Sequence, residues 1–444
     1  MWQLSAPMAI GLVSLNSYSI ADTYFVGRLG TLPLAAMGFT FPVSFALIAI
    51  GLGIGIGASS LLARLLGNGD RASVQRITTH ALMLACVLGL LVMVAGLASI
   101  DPVFRALGAD DRTLPLIREY MEVYYFGGFL VILPMVGNFA MRAAGDARAP
   151  AVILTTSAVI NIVLDPILIF GWLGVPALGL RGAAIATLIA NAVTVVASIY
   201  ILYRRERLVL ARYVSLTLLT DSWRRLLHVG VPATASNLLS PITVGVITSF
   251  VAAYGPAAVA GFGVASRIEA VVMIVIFAVT SSVGPFVGQN YGAGRLDRAR
   301  AFAAMSDKFC VGYALVAAAL LMLAGAPLAG IFTESADVVD AASLYLRIVP
   351  FSLAGFGVML TAVAAFNALG RPLPATALTF IKLFLGYIPL AWLLSTFSGI
   401  EGIFWANAAA HLAFGVVGFV WFRRVVDRLE RVAPSREDIA RSTA

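Results

Sequence analysis

Charge is what this sequence has least of. Only 12% of its 444 residues are Asp, Glu, Lys or Arg, whereas a soluble domain carries about a quarter. With 60% hydrophobic residues and a mean hydropathy of +0.95, too little polar surface is left to cover a water-soluble globule. Cysteine is nearly absent too. Cys86 and Cys310 both sit in apolar stretches, which excludes a disulfide framework and a CxxC redox motif. The three histidines, His80, His228 and His411, are scattered, which argues against a His-based metal site. No basic segment precedes the first apolar stretch, which is long enough to span a membrane rather than act as a cleavable signal. What is abundant is apolar sequence and glycine, 41 residues of it, a composition suited to closely packed membrane helices.

Twelve apolar stretches stand out, at 4–26, 34–62, 77–99, 115–140, 150–172, 180–203, 226–253, 258–285, 303–326, 341–366, 373–397 and 402–423. Each is long enough for a spanning helix of about 20 residues. The fold class expected is therefore an all-α integral membrane protein of twelve transmembrane helices. Sliding the chain by 225 residues superposes its halves: Pro7 meets Pro232, Gly30 meets Gly255, Gly67 and Gly69 meet Gly292 and Gly294, Tyr120 meets Tyr345, and Gly145 meets Gly370. Further on, Gly179–Gly182 resembles Gly399–Gly402 at an offset of 220. Turn glycines matched at matching helix ends indicate an internal duplication. Six spans separate equivalent positions, so the two six-helix lobes enter the membrane in the same direction, related by a pseudo-two-fold axis along its normal. The expected organisation is an N-terminal lobe over 1–203, an Arg-rich cytoplasmic linker over 204–225, a C-terminal lobe over 226–424 and a charged tail over 425–444.

The net charge of +8 and pI of about 9.7 do not indicate nucleic-acid binding, because no basic stripe is paired with aromatics in a soluble module. With both ends of the chain placed inside, 22 of the 30 basic residues fall on inner loops, linker and tail, and six on outer loops. Arg267 and Lys382 are left within spans. This bias orients the protein with both termini cytoplasmic.

Acids in spans are rarer still. A carboxylate at mid-membrane costs roughly 2.5–3.5 kcal/mol even on the lenient insertion scale. Of 22 acids, only Asp22, Asp165 and Glu269 lie well inside apolar stretches. At 1.5 Å per residue, Asp22 lies about 27 Å along the first helix and Asp165 about 23 Å along the fifth, both in the outer half. Thr187 on the sixth helix falls near the same level. One turn before each acid is another polar group on the same face: Tyr18 before Asp22, and Asn161 before Asp165. Carboxylates, an amide oxygen and a hydroxyl form a hard oxygen set suited to Na⁺, and the same carboxylates in a desolvated site are suited to carrying H⁺. The structural alternative is that each Asp caps a broken helix or satisfies a buried network, with Asp165-Pro166 marking a kink and Asn161 filling the backbone groups that Pro166 frees. At the repeat offset Asp22 and Asp165 meet Ile247 and Leu390, so the acids belong to one lobe only. Arg267, two residues from Glu269, could neutralise that acid locally. Gly51-Leu-Gly-Ile-Gly-Ile-Gly57 looks like a nucleotide loop, but no strand precedes it, so close helix packing is the expected role. No Gly-x₄-Gly-Lys-Ser/Thr loop, HExxH or nucleophile–base pair is present, so an enzyme is not expected.

With these residues in place, the chain resembles the multidrug and toxic compound extrusion (MATE) family over about residues 4–424. The resemblance is carried by Ser5–Met8, Ala21–Gly27, Arg142–Asp146, Asn161–Pro166, Gly182–Thr187, Ala265–Glu269 and Gly288–Gly292, and is strongest to the branch named after the DNA-damage-inducible protein F. It implies a secondary active multidrug antiporter of a bacterial inner membrane, exchanging inward H⁺ or Na⁺ for outward organic, cationic and amphipathic compounds by alternating access. The alternative is a lipid-linked oligosaccharide flippase of the same superfamily, which the scarcity of Arg and Lys in spans disfavours. It implies a cation site at Asp22, Asn161, Asp165 and Thr187, which is also the Na⁺ site if sodium is the coupling ion, with Tyr18 and Asn138 in the surrounding network. Glu269 is placed beside the substrate cavity. Apart from the coupling ion no cofactor is expected, and the protein is expected to act as a monomer in the bilayer.

Overall fold

The structure is a computed structural model that describes residues 2–209 and 215–432, and among the described residues there is no strand. Fourteen α-helices run in chain order: α1 (Trp2–Gly27), α2 (Thr31–Gly67), α3 (Arg71–Ala106), α4 (Leu114–Phe126), α5 (Gly128–Ala143), α6 (Arg148–Phe170), α7 (Gly179–Tyr200), α8 (Leu216–Ala252), α9 (Pro256–Gly292), α10 (Leu296–Gly330), α11 (Ala336–Ile348), α12 (Leu353–Ala368), α13 (Pro372–Phe380) and α14 (Ile388–Val432). Helices α4 and α5 form one span bent by 50° at Gly127. The equivalent span, α11 with α12, is broken by the 3₁₀ turn Pro350–Ser352. The stretch Pro372–Arg431, 60 residues long, would measure about 90 Å as one helix, three times a bilayer core of roughly 30 Å. It is divided at Ser398 and Gly399, whose backbone leaves the helical region. The described residues therefore supply the twelve spans that the apolar stretches mark out.

The duplication reaches the helix ends. Helix α2 runs 31–67 and α9 runs 256–292, each end displaced by 225 residues. Gly30 and Gly255, which precede them, have φ of 125° and 97°, and Gly145 and Gly370 have φ of 95° and 73°. Side chains with a Cβ rarely adopt such angles, which is why these glycines stand in both halves.

The chain divides into two compact units, Met1–Leu238 and Leu239–Ala444. The first extends past residue 203 for a physical reason. Within α2, a Cβ on Gly53 would lie 1.9 Å from Thr234 Oγ1, and one on Gly57 would lie 2.5 Å from the Leu226 carbonyl oxygen. Gly51 and Gly55 abut Met135 and Phe139 of α5 in the same way. The glycine run is thus a packing surface, gripping α5 on one side and the first part of α8 on the other.

The linker differs from expectation. Helix α8 starts at Leu216, ten residues before the apolar stretch, and its polar first turns dock on α3. Trp223 donates Nε1–H to the His80 carbonyl (3.0 Å). Ser222 Oγ donates to the Leu218 carbonyl (2.8 Å), so the His80 ring donates Nδ1–H to Ser222 Oγ (2.7 Å). Ser222→Ala leaves that buried donor without its acceptor, a loss of about 1–3 kcal/mol. We expect faster proteolysis at residues 210–225 with unchanged spans, measured by limited digestion. The other end extends too: α14 continues to Val432, and Arg300 of α10 pairs with Asp427 (2.9 Å) and Glu430 (3.6 Å). Of the basic residues assigned to the inner side, Arg212, Arg436 and Arg441 lie outside the described residues, as do the linker positions 210–214 and the tail beyond Val432.

Candidate cation site

Helix α1 lies along α6. Gly11 allows the approach, since a Cβ there would lie 3.4 Å from Ala151 Cα, and Ser14 Oγ meets Thr155 Oγ1 at 3.0 Å. Helix α6 in turn packs on α7, where Gly182 seats so closely that a Cβ there would lie 2.5 Å from the Leu168 carbonyl oxygen. This triple packing brings together the polar faces that the i, i+4 spacing marks out. Asp22, Asn161, Asp165 and Thr187 are all buried, Asp165 completely, and Tyr18 is half-buried beside them.

Asn161 is the bridge. With its amide nitrogen facing an acceptor, it donates to Asp165 Oδ2 (3.0 Å) and accepts from the backbone N–H of Thr187 (3.2 Å). The same oxygen lies 3.3 Å from the Thr187 hydroxyl. Tyr18 completes the cluster, lying beside Thr187 and in electrostatic reach of Asp22 and Asp165. Helix α6 runs unbroken through Asp165 and Pro166 to Phe170. Asp165 is therefore not the cap of a broken helix, and Asn161 serves the carboxylate rather than freed backbone groups.

Two features bear on chemistry. Asp165 lies within electrostatic reach of Asp22, so two like charges face each other in a buried site. Each also keeps one oxygen, Asp22 Oδ1 and Asp165 Oδ1, with no hydrogen-bond partner among the described residues. An ionised carboxylate is acceptor-only. Two such oxygens beside an amide and a hydroxyl suit a small hard cation or a shared proton. Among the described residues no three His, Cys, Asp or Glu side chains converge.

Two tyrosines that the spacing argument passed over belong to this cluster. Tyr120 and Tyr124, one turn apart on α4, stack with centroids 5.8 Å apart. Both are in electrostatic reach of Asp22, and Tyr124 lies beside Ser44 of α2. The repeat match of Tyr120 with Tyr345 was the available signal. Asn138 is not in the cluster. Its neighbour Gly137 packs on Ser198 of α7, eleven residues beyond Thr187, or about 16 Å of helix. It is buried with its oxygen unpartnered, one turn before Arg142, whose guanidinium lies 3.9 Å from the Phe139 ring centroid.

Glu269 has a different partner from the one its sequence neighbourhood suggests. Arg267 is exposed, because residues two apart on a helix point to different faces. Glu269 instead accepts a hydrogen bond from the Tyr345 hydroxyl and faces Lys382, beyond ion-pair distance. It lies in the second unit.

Twelve spans, a duplicated frame and a buried acidic cluster in a membrane bundle define a polytopic helical transporter. The MatE family model matches twice, at residues 7–167 and 232–393, starts that are again 225 apart. The chain belongs to the MatE family. It is 36% identical over 424 residues to the FAD transporter of Shewanella oneidensis, covering 96% of this chain and 94% of that one. It is 27% identical to the multidrug export protein MepA of Staphylococcus aureus, over 97% of this chain and 94% of that one. Among solved structures, the Vibrio cholerae MATE transporter VcmN in the bent form superposes with a TM-score of 0.91 at 29% identity, covering 96% of each chain.

Proposed function

We propose that this protein is a secondary active exporter that couples inward movement of H⁺ or Na⁺ to outward movement of organic compounds, and that the cation is held by Asp22 and Asp165 with Asn161 and Thr187. The observation that carries this reading is the pair of buried carboxylates, each with a free oxygen, in one unit only. A cation there offsets like-charge repulsion and desolvation together. Coupling requires that ion and substrate prefer different states of the protein. A site whose local charge changes by one unit on ion binding supplies that difference. Export of drugs by the MepA relative supports the outward direction, and the excess of basic residues on one side of the spans supports an inner-membrane protein with cytoplasmic termini. We propose that the monomer is the working unit.

The test is efflux of ethidium from proteoliposomes with Na⁺ and pH gradients imposed separately. Drive by one gradient alone identifies the ion. Wild-type protein that responds to neither sinks the reading.

A second substrate class follows from the Shewanella relative, whose name specifies a flavin dinucleotide, an anion rather than a cation. One observation in this chain favours it: Lys382 is buried in the second unit, and among the described residues no carboxylate lies within ion-pair distance of it.

A further inference from the structure

The second unit contains a polar cluster that the coupling reading leaves unused. Lys382 is 4% exposed. Its ammonium sits 4.2 Å from the centroid of the Phe356 ring. Among the described residues no carboxylate lies within 4.0 Å of it, and none donates or accepts a hydrogen bond with it. Around it stand Glu269 and His411, both in electrostatic reach, with Tyr345 bonded to Glu269 and to Asn407. His411 is committed elsewhere, 3.1 Å from Ser352 Oγ. Three ammonium donors therefore remain unspent in a buried place, beside an aromatic face that favours a cation but satisfies none of those donors.

The position of Lys382 is built rather than incidental. It lies in a π-helical turn, Ile381–Tyr387, inserted between α13 and α14. Such insertions rotate side chains out of α register and recur at functional sites. The turn brings Lys382 and Tyr387 to Glu269 together. Ten residues from Pro372, Lys382 is about 15 Å into its span, the middle of a core roughly 30 Å thick. A phospholipid headgroup at the interface is too shallow to reach it.

The duplication sharpens this. At the offset of 225, Tyr345 corresponds to Tyr120, Glu269 to Ser44 and Lys382 to Ser157. At the later offset of 220, Asn407 corresponds to Thr187. Two members of the second cluster, Tyr345 and Asn407, thus stand in their repeat where Tyr120 and Thr187 stand in the first, while Glu269 and Lys382 occupy positions that carry Ser44 and Ser157 there.

We propose that the Lys382 ammonium is the recognition site for the anionic group, phosphate or carboxylate, of an organic anion carried by this protein, and that Glu269 is the counter-charge which that group replaces. The inference rests on the export reading for its purpose, but it concerns binding and is tested as binding. FMN and riboflavin share one ring system and differ by the phosphate, so they serve as paired probes, with ethidium as the cationic control. For purified full-length protein in detergent, titration calorimetry is expected to give FMN affinity at least about tenfold above riboflavin, the range of a charge-assisted hydrogen bond. Lys382→Met removes that difference and leaves ethidium binding unchanged. Lys382→Arg keeps it. Glu269→Gln, which leaves Lys382 without a competing carboxylate, is expected to strengthen FMN binding severalfold, a gain that a misfolded variant does not produce. Equal FMN and riboflavin affinity in the wild type, or a preserved preference in Lys382→Met, overturns the proposal. Ethidium efflux in vesicles is scored separately. Its loss in the wild type with the FMN preference intact refutes the export reading and leaves the anion site standing.

Discussion

Asp165→Asn is expected to reduce cation-driven ethidium efflux by at least about 100-fold, to the level of protein-free vesicles, while expression, insertion and monodispersity stay at wild-type levels. The substitution preserves shape, and its amide oxygen still accepts from Asn161, which lies 3.0 Å from the carboxylate. What disappears is one negative charge and with it half of the anionic ligand set. The drop of about 100-fold corresponds to roughly 2.7 kcal/mol of lost coupling, within the range typical of linked sites. Asp22→Asn is expected to match it. The double variant is expected to be no worse than either single one, because groups that act as a unit are not additive. Efflux of the Asp165→Asn protein at the wild-type rate under either gradient would exclude the site from coupling. A protein that fails to insert would instead assign Asp165 a structural role, and comparison of membrane abundance separates the two.

The second large effect is structural. Gly415 of α14 and Gly355 of α12 meet backbone to backbone: a Cβ on Gly415 would lie 2.5 Å from the Gly355 carbonyl oxygen, and one on Gly355 would lie 2.5 Å from the His411 carbonyl oxygen. Small residues of this kind let membrane helices approach until dispersion and weak backbone contacts hold them. Gly415→Leu must push α12 and α14 apart, and no side-chain rotation relieves a clash with backbone. Overpacking alone costs about 1–3 kcal/mol, and separating this helix pair also opens the core around Ser352 and His411. We expect the Leu variant to be absent from the monodisperse peak after detergent extraction, with Gly415→Ala intermediate. Gly245, with no atom within 4 Å of an added Cβ, is the control, and Gly245→Ala is expected to behave as wild type. A Gly415→Leu protein as monodisperse as the wild type would refute this account.

The contrast between these glycines bears on how far the sequence could be read. Twelve spans and the duplication were visible because both follow from local requirements: apolar length for the spans, and backbone angles that only Gly30, Gly145 and their partners readily supply. The Asp22 cluster was visible because two acids stood out against an apolar background and i, i+4 spacing assigned each a companion. Spacing within one helix cannot report contacts between helices. So Tyr120, Tyr124 and Ser44 were passed over, and Glu269 was matched with Arg267, two residues away, rather than with Lys382, more than a hundred residues on. The start of α8 was misplaced for another reason. Hydropathy senses burial in lipid, whereas the first turns of α8 are polar and are held by Trp223 and Ser222 against α3.

The unpartnered oxygens of Asp22 and Asp165 have a consequence outside transport. A buried pair of carboxylates, each with one oxygen that no donor meets among the described residues, weakens the folded state of every molecule, whether or not it is turning over. Any cation that fills the site binds the folded chain and not the unfolded one, and so stabilises it by about 2.7 kcal/mol at a hundred times its dissociation constant. Under the proposed coupling the driving ion is also a folding ligand, and the ionic composition next to the membrane then sets how long the protein survives there as well as how fast it works.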